Sequence, residues 1–459
     1  MVLLLEKLNG FVWGLPTMAL ILCTGVYYTW KSRFFQFTHL PAAIRTFFGK
    51  MRPSQQTADG VSPYQALCTA LAATVGTGNI AGVAGAIALG GAGAIFWMWL
   101  CAFLGMIIKC AEAVLAIHYR KRGADGQPRG GPMYMIENGL GKRFRWLGAV
   151  YAFFGVIAAF GVGNATQINA VLEGIHSTAA AFGASISFRT DLLLAAGIAC
   201  LIGILLWGGA KRIGSVAQAL VPYASCVYIL LGAVVLVLRR QAIPAAFAAI
   251  VRGAFTPRAV TGGMVGSFVT VCRIGAARGV FTNEAGMGTA SIAHASAAVS
   301  HPVEQGLMGI MEVFLDTIVI CTVTALVILC SGVEIPYGTD AGASLTAAAF
   351  GRIYGKWAVP LIALCLTCFA LATVLGWSFY GMHCARYLLG SRMQPVFILL
   401  QSATVILSAV LKTGTVWLLA ELVNGLMAIP NLIALLALSP TFFRLLQQYP
   451  GAKAQKNGQ

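Results

Sequence analysis

Charge is scarce in this chain. Only 10% of its 459 residues are Asp, Glu, Lys or Arg, where a soluble protein of this size has about 25%. An ordinary soluble globular domain is thereby excluded. Acids are scarcer still, 14 against 31 bases. The formal charge of +17 invites a nucleic-acid reading. The bases, however, sit in short clusters between apolar stretches, as they do in the loops of membrane proteins, so no nucleic-acid partner is expected. Metal and catalytic patterns are also missing. The six histidines are scattered, no His/Cys cluster has metal spacing, and no nucleophile–base pair stands out. Neither an enzyme nor a cofactor is expected. Most of the twelve cysteines lie in apolar segments, and the one CxxC, Cys365-Leu-Thr-Cys368, falls inside a span; these thiols read as small buried hydrophobes. A cleavable signal peptide is not expected either. The first apolar run, about Trp13 to Trp30, is followed by Lys31 and Arg33, whereas a signal carries its charge before the run.

What the chain does have is apolar length. It is 58% hydrophobic, with a mean hydropathy of +0.81, and stretches long enough to cross a hydrocarbon core as helices recur along it. The fold class is therefore an all-α polytopic membrane protein in a single integral domain. Eleven spans are expected, approximately 13–30, 64–89, 93–117, 146–171, 191–209, 214–238, 261–283, 305–330, 358–382, 394–411 and 415–440. Bases concentrate in one set of loops, at Lys31 to Arg52, Arg120 to Arg145, Lys211, Arg212, Arg386, Arg392 and the tail. That bias places the N-terminus outside and the C-terminus in the cytoplasm. Segment 241–257 is expected as a short helix along the outer surface.

Ten spans remain after the first, and they divide into five and five. The expected layout is an extra N-terminal helix and inner loop at 13–52, one five-helix repeat at 64–238, a second, inverted one at 261–440, and a tail at 441–459. Each half opens on a Gly-rich segment: ATVGTGNIAG at 73–82, and TGGMVGSFVTVCRIGAARGVFTNEAGMG from Thr261. An unpaired backbone group in lipid costs several kcal/mol. A helix break at mid-depth therefore survives only where it lines a cavity or meets a ligand. Paired breaks in two halves point to a transporter's central site. Freed N–H groups suit a carboxylate and freed carbonyls suit a cation, so one broken helix can hold both ends of a zwitterion.

On this reading Thr77, Gly78 and Asn79 contact substrate, and Ala73, Thr74 and Gly76 contribute to a sodium site. Thr373, in the ninth span, adds a hydroxyl to that site, since hard cations take oxygen ligands. Gln167 is placed to reach a central substrate, with Phe160 covering it. The second Gly-rich segment contributes Thr270, Cys272, Arg273 and Gly275. Arg273 has three open roles: contact with a substrate carboxylate, a gate, or a structural charge. Arg278 and Glu284, near the inner face, form structural or gating pairs. Glu312 and Asp316 lie four apart on one helix face. Acids inside a membrane mark function by default, and the plainer alternative for Asp316 is a helix-packing hydrogen bond.

The stretches ALAATVGTGNIAGVAGAI, GGPMYMIENGLG, RGVFTNEAGMGTA, FLDTIVICTVTALV, ATVLGWSFYG and NGLMAIPNLIALLALS resemble the alanine-or-glycine:cation symporter family, over nearly the whole chain. The resemblance implies the leucine-transporter-type fold and Na⁺-driven uptake of small neutral amino acids by alternating access. It also implies that Thr270 to Gly275 is the second unwound segment. Four positions depart from the family pattern, one of them mildly: Thr282 in FTNEAG stands where a serine is common. Ile274 stands where a tryptophan is common, which enlarges the expected pocket towards glutamine. Ala372 replaces a frequent serine and removes one possible Na⁺ ligand, and Met382 replaces a frequent glutamate. The expected partners are a small amino acid, Na⁺ as coupling ion and the lipid of a bacterial-type plasma membrane, with no obligate protein partner. A proton-coupled symporter using Asp316 and Glu312, and a non-transporting amino-acid sensor, are the rivals.

Overall fold

A backbone in lipid must satisfy its own N–H and C=O groups, and a helix does so within one segment. The computed structural model, which describes residues 2–51, 60–123, 126–256, 268–339, 341–410 and 413–449, is accordingly helical throughout, apart from a two-stranded ribbon pairing Lys121–Arg122 with Pro128–Arg129. Among the described residues eight helices are long and apolar enough to cross a membrane. A bent pair, Pro63–Thr74 with Gly78–Gly90, makes a ninth with a 54° kink. These nine match nine of the eleven expected spans. The other two fall on Phe268–Asn283, which carries Arg273 and Arg278, and on Gln394–Ser408, whose 15 residues fall short of a full crossing. Residues 261–267 of the seventh expected span lie outside the described residues, as do the loop bases Arg52, Arg258, Lys412, Lys453 and Lys456. Segment 241–257 is indeed helical at Ile243–Phe255, packing through Ala246, Ile250 and Ala254.

Burial ranks the helices. In Gly93–His118 the apolar window is 83% buried, but in Phe188–Trp207 and Gly209–Leu238 only 22% and 28%. The first is therefore the central post, and the other two face outwards with side chains such as Leu193 and Tyr223 exposed. Exposed apolar side chains are at no disadvantage against lipid tails.

Three long helices contain wide π turns, at Gly78–Gly82, Gly161–Ala165 and Phe314–Cys321. Such turns release backbone groups from the regular ladder and are common at functional sites. Away from them, the entry to the first broken helix meets the exit of the second. Val61 donates to the Ser296 carbonyl (3.0 Å) and accepts from the Ala298 amide (2.9 Å). Arg120 donates to the carbonyls of Ala295 (3.0 Å) and Ala297 (2.7 Å). These four bonds tie the two segments together.

Candidate functional site

The first helix starts cleanly: Ser62 Oγ accepts from the Gln65 amide, and Pro63 occupies the first turn, where no N–H is needed. It stops at Thr74 because Val75 turns to ψ 96°, freeing carbonyls of the last turn. Asn79 then stitches the gap. Its Oδ1 accepts from the Gly76 amide (2.9 Å), and its Nδ2 donates to Asp316 Oδ1 (2.7 Å) and to the Asp316 carbonyl (3.1 Å). Thr317 donates to the other Asp316 oxygen (2.7 Å). Asn79 is thus buried and occupied by the protein, and it does not line the cavity described below. The expectation that it contacts substrate gives way to a lock between two irregular turns. Asp316 is the other half of that lock.

The sodium-site residues come together only in part. Gly376 lies so close to the first helix that a β-carbon there would sit 2.7 Å from the Ala73 amide. One turn earlier, Thr373 therefore faces the break, its hydroxyl 3.4 Å from the Val75 carbonyl. A β-carbon on Gly76 would lie 2.7 Å from Thr373 Oγ1 and 3.6 Å from Gln167 Oε1. Gln167 Oε1 is buried with no hydrogen-bond partner, while its Nε2 donates to Val162 O (3.1 Å) and Thr77 Oγ1 (3.4 Å). Three oxygens thus converge on Gly76. Oxygens 3.4 Å apart suit two ligands at right angles about 2.4 Å from a hard cation. Thr74 is turned the other way, its hydroxyl bonded to the Ala70 and Leu71 carbonyls of its own helix.

Next to this corner lies a cavity of about 810 Å³, within the range of small-molecule sites. Thr77, Gly78, Thr166, Arg278 and Phe281 line it, together with Ser177, Gly342, Gly355 and Leu418. Phe160 is absent from its wall. It packs on Phe397 with centroids 5.3 Å apart, and among the described residues Phe281 is the aromatic side chain on the cavity wall.

The second broken helix is real, but its break is not where the resemblance implied. Phe268–Asn283 is regular through Thr270, Cys272, Arg273 and Gly275. Gly275 is a packing glycine: a β-carbon there would meet the Ala94 carbonyl at 2.3 Å and Trp97 Cβ at 2.7 Å. Arg273 and Ile274 line a separate, smaller cavity, so Ile274 does not set the size of the main one. The chain breaks at 284–288, where Glu284, Gly286 and Gly288 adopt φ of 53°, 90° and 79°, and helix resumes at Thr289–His294. Glu284 therefore sits at the break itself. A non-glycine residue at positive φ is strained unless its surroundings hold it. Glu284 is held by Thr289 Oγ1 (2.6 Å) and Trp377 Nε1 (3.0 Å). Arg278 instead lies 4.0 Å from Glu421 at the cavity.

Glu112, on the central helix, was not singled out in the sequence, yet its Oε1 accepts from the Gly286 and Gly288 amides (3.0 Å each) and from Asn431 Nδ2 (2.7 Å). An orphaned buried donor costs about 1–3 kcal/mol. Glu112→Ala should lower thermal stability in detergent markedly, and Glu112→Gln, which keeps an acceptor oxygen, much less. Equal losses in both variants would show that the carboxyl oxygen does not hold this turn. Lys109, His294 and Glu312 form a further buried group. Charged residues inside apolar spans are the signal by which Lys109 and Glu112 are visible in the sequence.

Comparison with known proteins places this architecture. Residues 1–459 match the model of the sodium:alanine symporter family. The chain is 43% identical over 441 residues to the sodium/alanine symporter AgcS of Methanococcus maripaludis, covering 95% of this chain and 94% of that protein. It is 37% identical over 447 residues to the probable sodium/glutamine symporter GlnT of Bacillus subtilis, covering 97% and 90%. Among solved structures it resembles the crystal structure of MhsT in complex with L-phenylalanine, with TM-score 0.58 and 14% identity over 84% of this chain and 99% of that one. That likeness concerns the fold, which is of the leucine-transporter type. Matched along its whole length, the chain belongs to the sodium:alanine symporter family.

Proposed function

We propose that this protein is a secondary transporter that couples Na⁺ entry to uptake of alanine, glycine or a related small neutral amino acid by alternating access. The observation that carries the reading is the convergence of Val75 O, Thr373 Oγ1 and the unpartnered Gln167 Oε1 at the first break, beside the wall of the main cavity. Those oxygens hold the cation. Thr77 and Gly78, at the start of the resumed helix, present polar groups and backbone to the substrate carboxylate. The side where Val61, Ala297 and Arg120 tie the two segments together is cytoplasmic, and the cavity mouth faces outwards. The N-terminus is then outside and the C-terminus inside a bacterial-type plasma membrane, and the two broken helices open the five-helix repeats. The extent of the cavity and the likeness to GlnT favour a second reading, in which glutamine is also carried.

The test is uptake of labelled alanine into proteoliposomes under an inward Na⁺ gradient, against an equal K⁺ gradient, with glycine and glutamine as competitors. Accumulation is expected only with Na⁺, and Gly78→Leu should abolish it. A β-carbon at Gly78 would approach Thr282 Oγ1 to 3.3 Å, so a leucine has only the cavity to enter. Uptake that follows a pH gradient and ignores Na⁺ would move the coupling to protons. Undiminished transport by the leucine variant would remove the site from this cavity.

A further inference from the structure

We infer that the chain leaving the first span forms a seat for anionic phospholipid headgroups. The span Leu15–Lys31 ends on Trp30 and Lys31, and two short helices follow it, Phe35–Thr38 and Leu40–Lys50. Residues 7–58 contain six Lys and Arg and no Asp or Glu. Between the span and the short helices the backbone turns sharply, with Arg33 and Phe34 at φ of 57° and 60°. Among the described residues the one other non-glycine at positive φ is Glu284, at the second break. Such backbone persists only where its surroundings hold it. Here the Phe34 amide donates to the Thr29 carbonyl (2.8 Å), and the buried Gln36 donates through Nε2 to Thr29 Oγ1 (2.8 Å).

What this fastened turn holds outwards is aromatic. Trp30 is 76% exposed. Trp30, Phe34, Phe37 and Phe103 follow one another at centroid separations of 6.4, 6.4 and 5.4 Å. Helix Leu40–Lys50 buries Ala43 and leaves Pro41, Arg45 and Phe48 exposed, at i, i+4 and i+7 on one face. Lys31 donates to Tyr27, and Lys50 lies 3.9 Å from Glu304. Arg33 and Arg45, by contrast, are exposed and make no side-chain hydrogen bond or ion pair among the described residues. Guanidinium groups set among exposed rings complement an anion at an apolar–polar boundary. A phospholipid supplies both halves: its phosphate accepts from the guanidinium fork, and the headgroup level of the bilayer is where aromatic side chains collect. An acidic soluble protein would meet the arginines and leave the rings without an apolar phase. With no carboxylate in the stretch to meet an ammonium, the headgroup that fits is anionic rather than zwitterionic. Basic clusters next to a span attract such lipids.

The test is quenching of Trp30 fluorescence by brominated lipid, with the full chain in phosphatidylcholine nanodiscs. A small fraction of the lipid is brominated phosphatidylglycerol or, in the parallel sample, brominated phosphatidylcholine. The Trp30 signal is the difference between wild type and Trp30→Phe. Phosphatidylglycerol should quench it about fivefold more strongly, the attraction of one basic residue to an anionic surface. Arg33→Asn combined with Arg45→Gln should bring the two lipids level. Asparagine tolerates the left-handed backbone at position 33, and neither arginine has a bond within the described residues to lose, so thermal unfolding should be unchanged. Equal quenching by the two lipids in wild type overturns the inference. A preference for phosphatidylglycerol that survives in the double variant overturns it too, because other groups then draw the lipid. Quenching by neither lipid also overturns it, and two chains per disc would then give this face to a second copy.

Discussion

Lys109→Met should destabilise the protein by about 3–5 kcal/mol, the usual cost of stripping one partner from a buried ion pair. Lys109 is fully buried, and its Nζ lies 3.3 Å from Glu312 Oε1. The other Glu312 oxygen is 2.8 Å from His294 Nε2. Gln305 Nε2 lies 2.7 Å from His294 Nδ1 and donates to the Pro63 carbonyl (3.3 Å). One chain of contacts thus joins the central helix, the helix starting at Pro302, the short helix after the second break, and the start of the first broken helix. Without Lys109 the Glu312 carboxylate keeps only the histidine. Burying an uncompensated charge is what costs, so removing both charges should recover most of the loss. Thermal unfolding of Lys109→Met, Glu312→Leu and the double variant in detergent tests this. Additive losses in the double variant would show that the pair itself is not what these residues contribute.

Thr373→Ala should raise the Na⁺ concentration for half-maximal uptake by about tenfold or more, since a bond from a charged group is worth about 1.5–3 kcal/mol. Gly76→Ala should do the same by another route. Its new methyl would sit 2.7 Å from Thr373 Oγ1, and a β-branched side chain in a helix has little rotamer freedom with which to yield. Thr373→Ser, which keeps the hydroxyl, should restore wild-type Na⁺ dependence. Flux measured against external Na⁺ at fixed alanine distinguishes the cases. An unchanged Na⁺ requirement in Thr373→Ala would place the cation away from the Val75 carbonyl.

Residue type alone singled out Gly76, Thr373 and Gln167, a loosening glycine and polar oxygens at mid-span, and the fold brings the three side by side. Asn79 was identifiable as special, but its role was not: an amide in a broken helix serves a ligand or a neighbouring turn equally well. Only the position of Asp316, 237 residues along the chain, decides for the turn. The second break was displaced for a similar reason. TVCRIGAARG and TNEAGMG both contain glycine. In the first, Gly275 admits the Ala94 backbone and the Trp97 side chain, and the helix stays whole. In the second, Glu112 and Trp377 reach in from other helices and hold residues at positive φ.

Sequence alone determined the membrane class, nine of the spans, a break within 73–82 and the family. These follow from local quantities: the apolar length needed to cross lipid, the backbone freedom of glycine, and ordered motifs. Tertiary structure alone decided which oxygens meet at Gly76, that Phe281 and not Phe160 lines the cavity, that Arg273 faces a different space, and that Glu112 caps the second break. Each of these depends on how closely two helices approach and at what rotation. Interhelical hydrogen bonds and the small residues that permit close contact set that geometry between segments far apart in the chain.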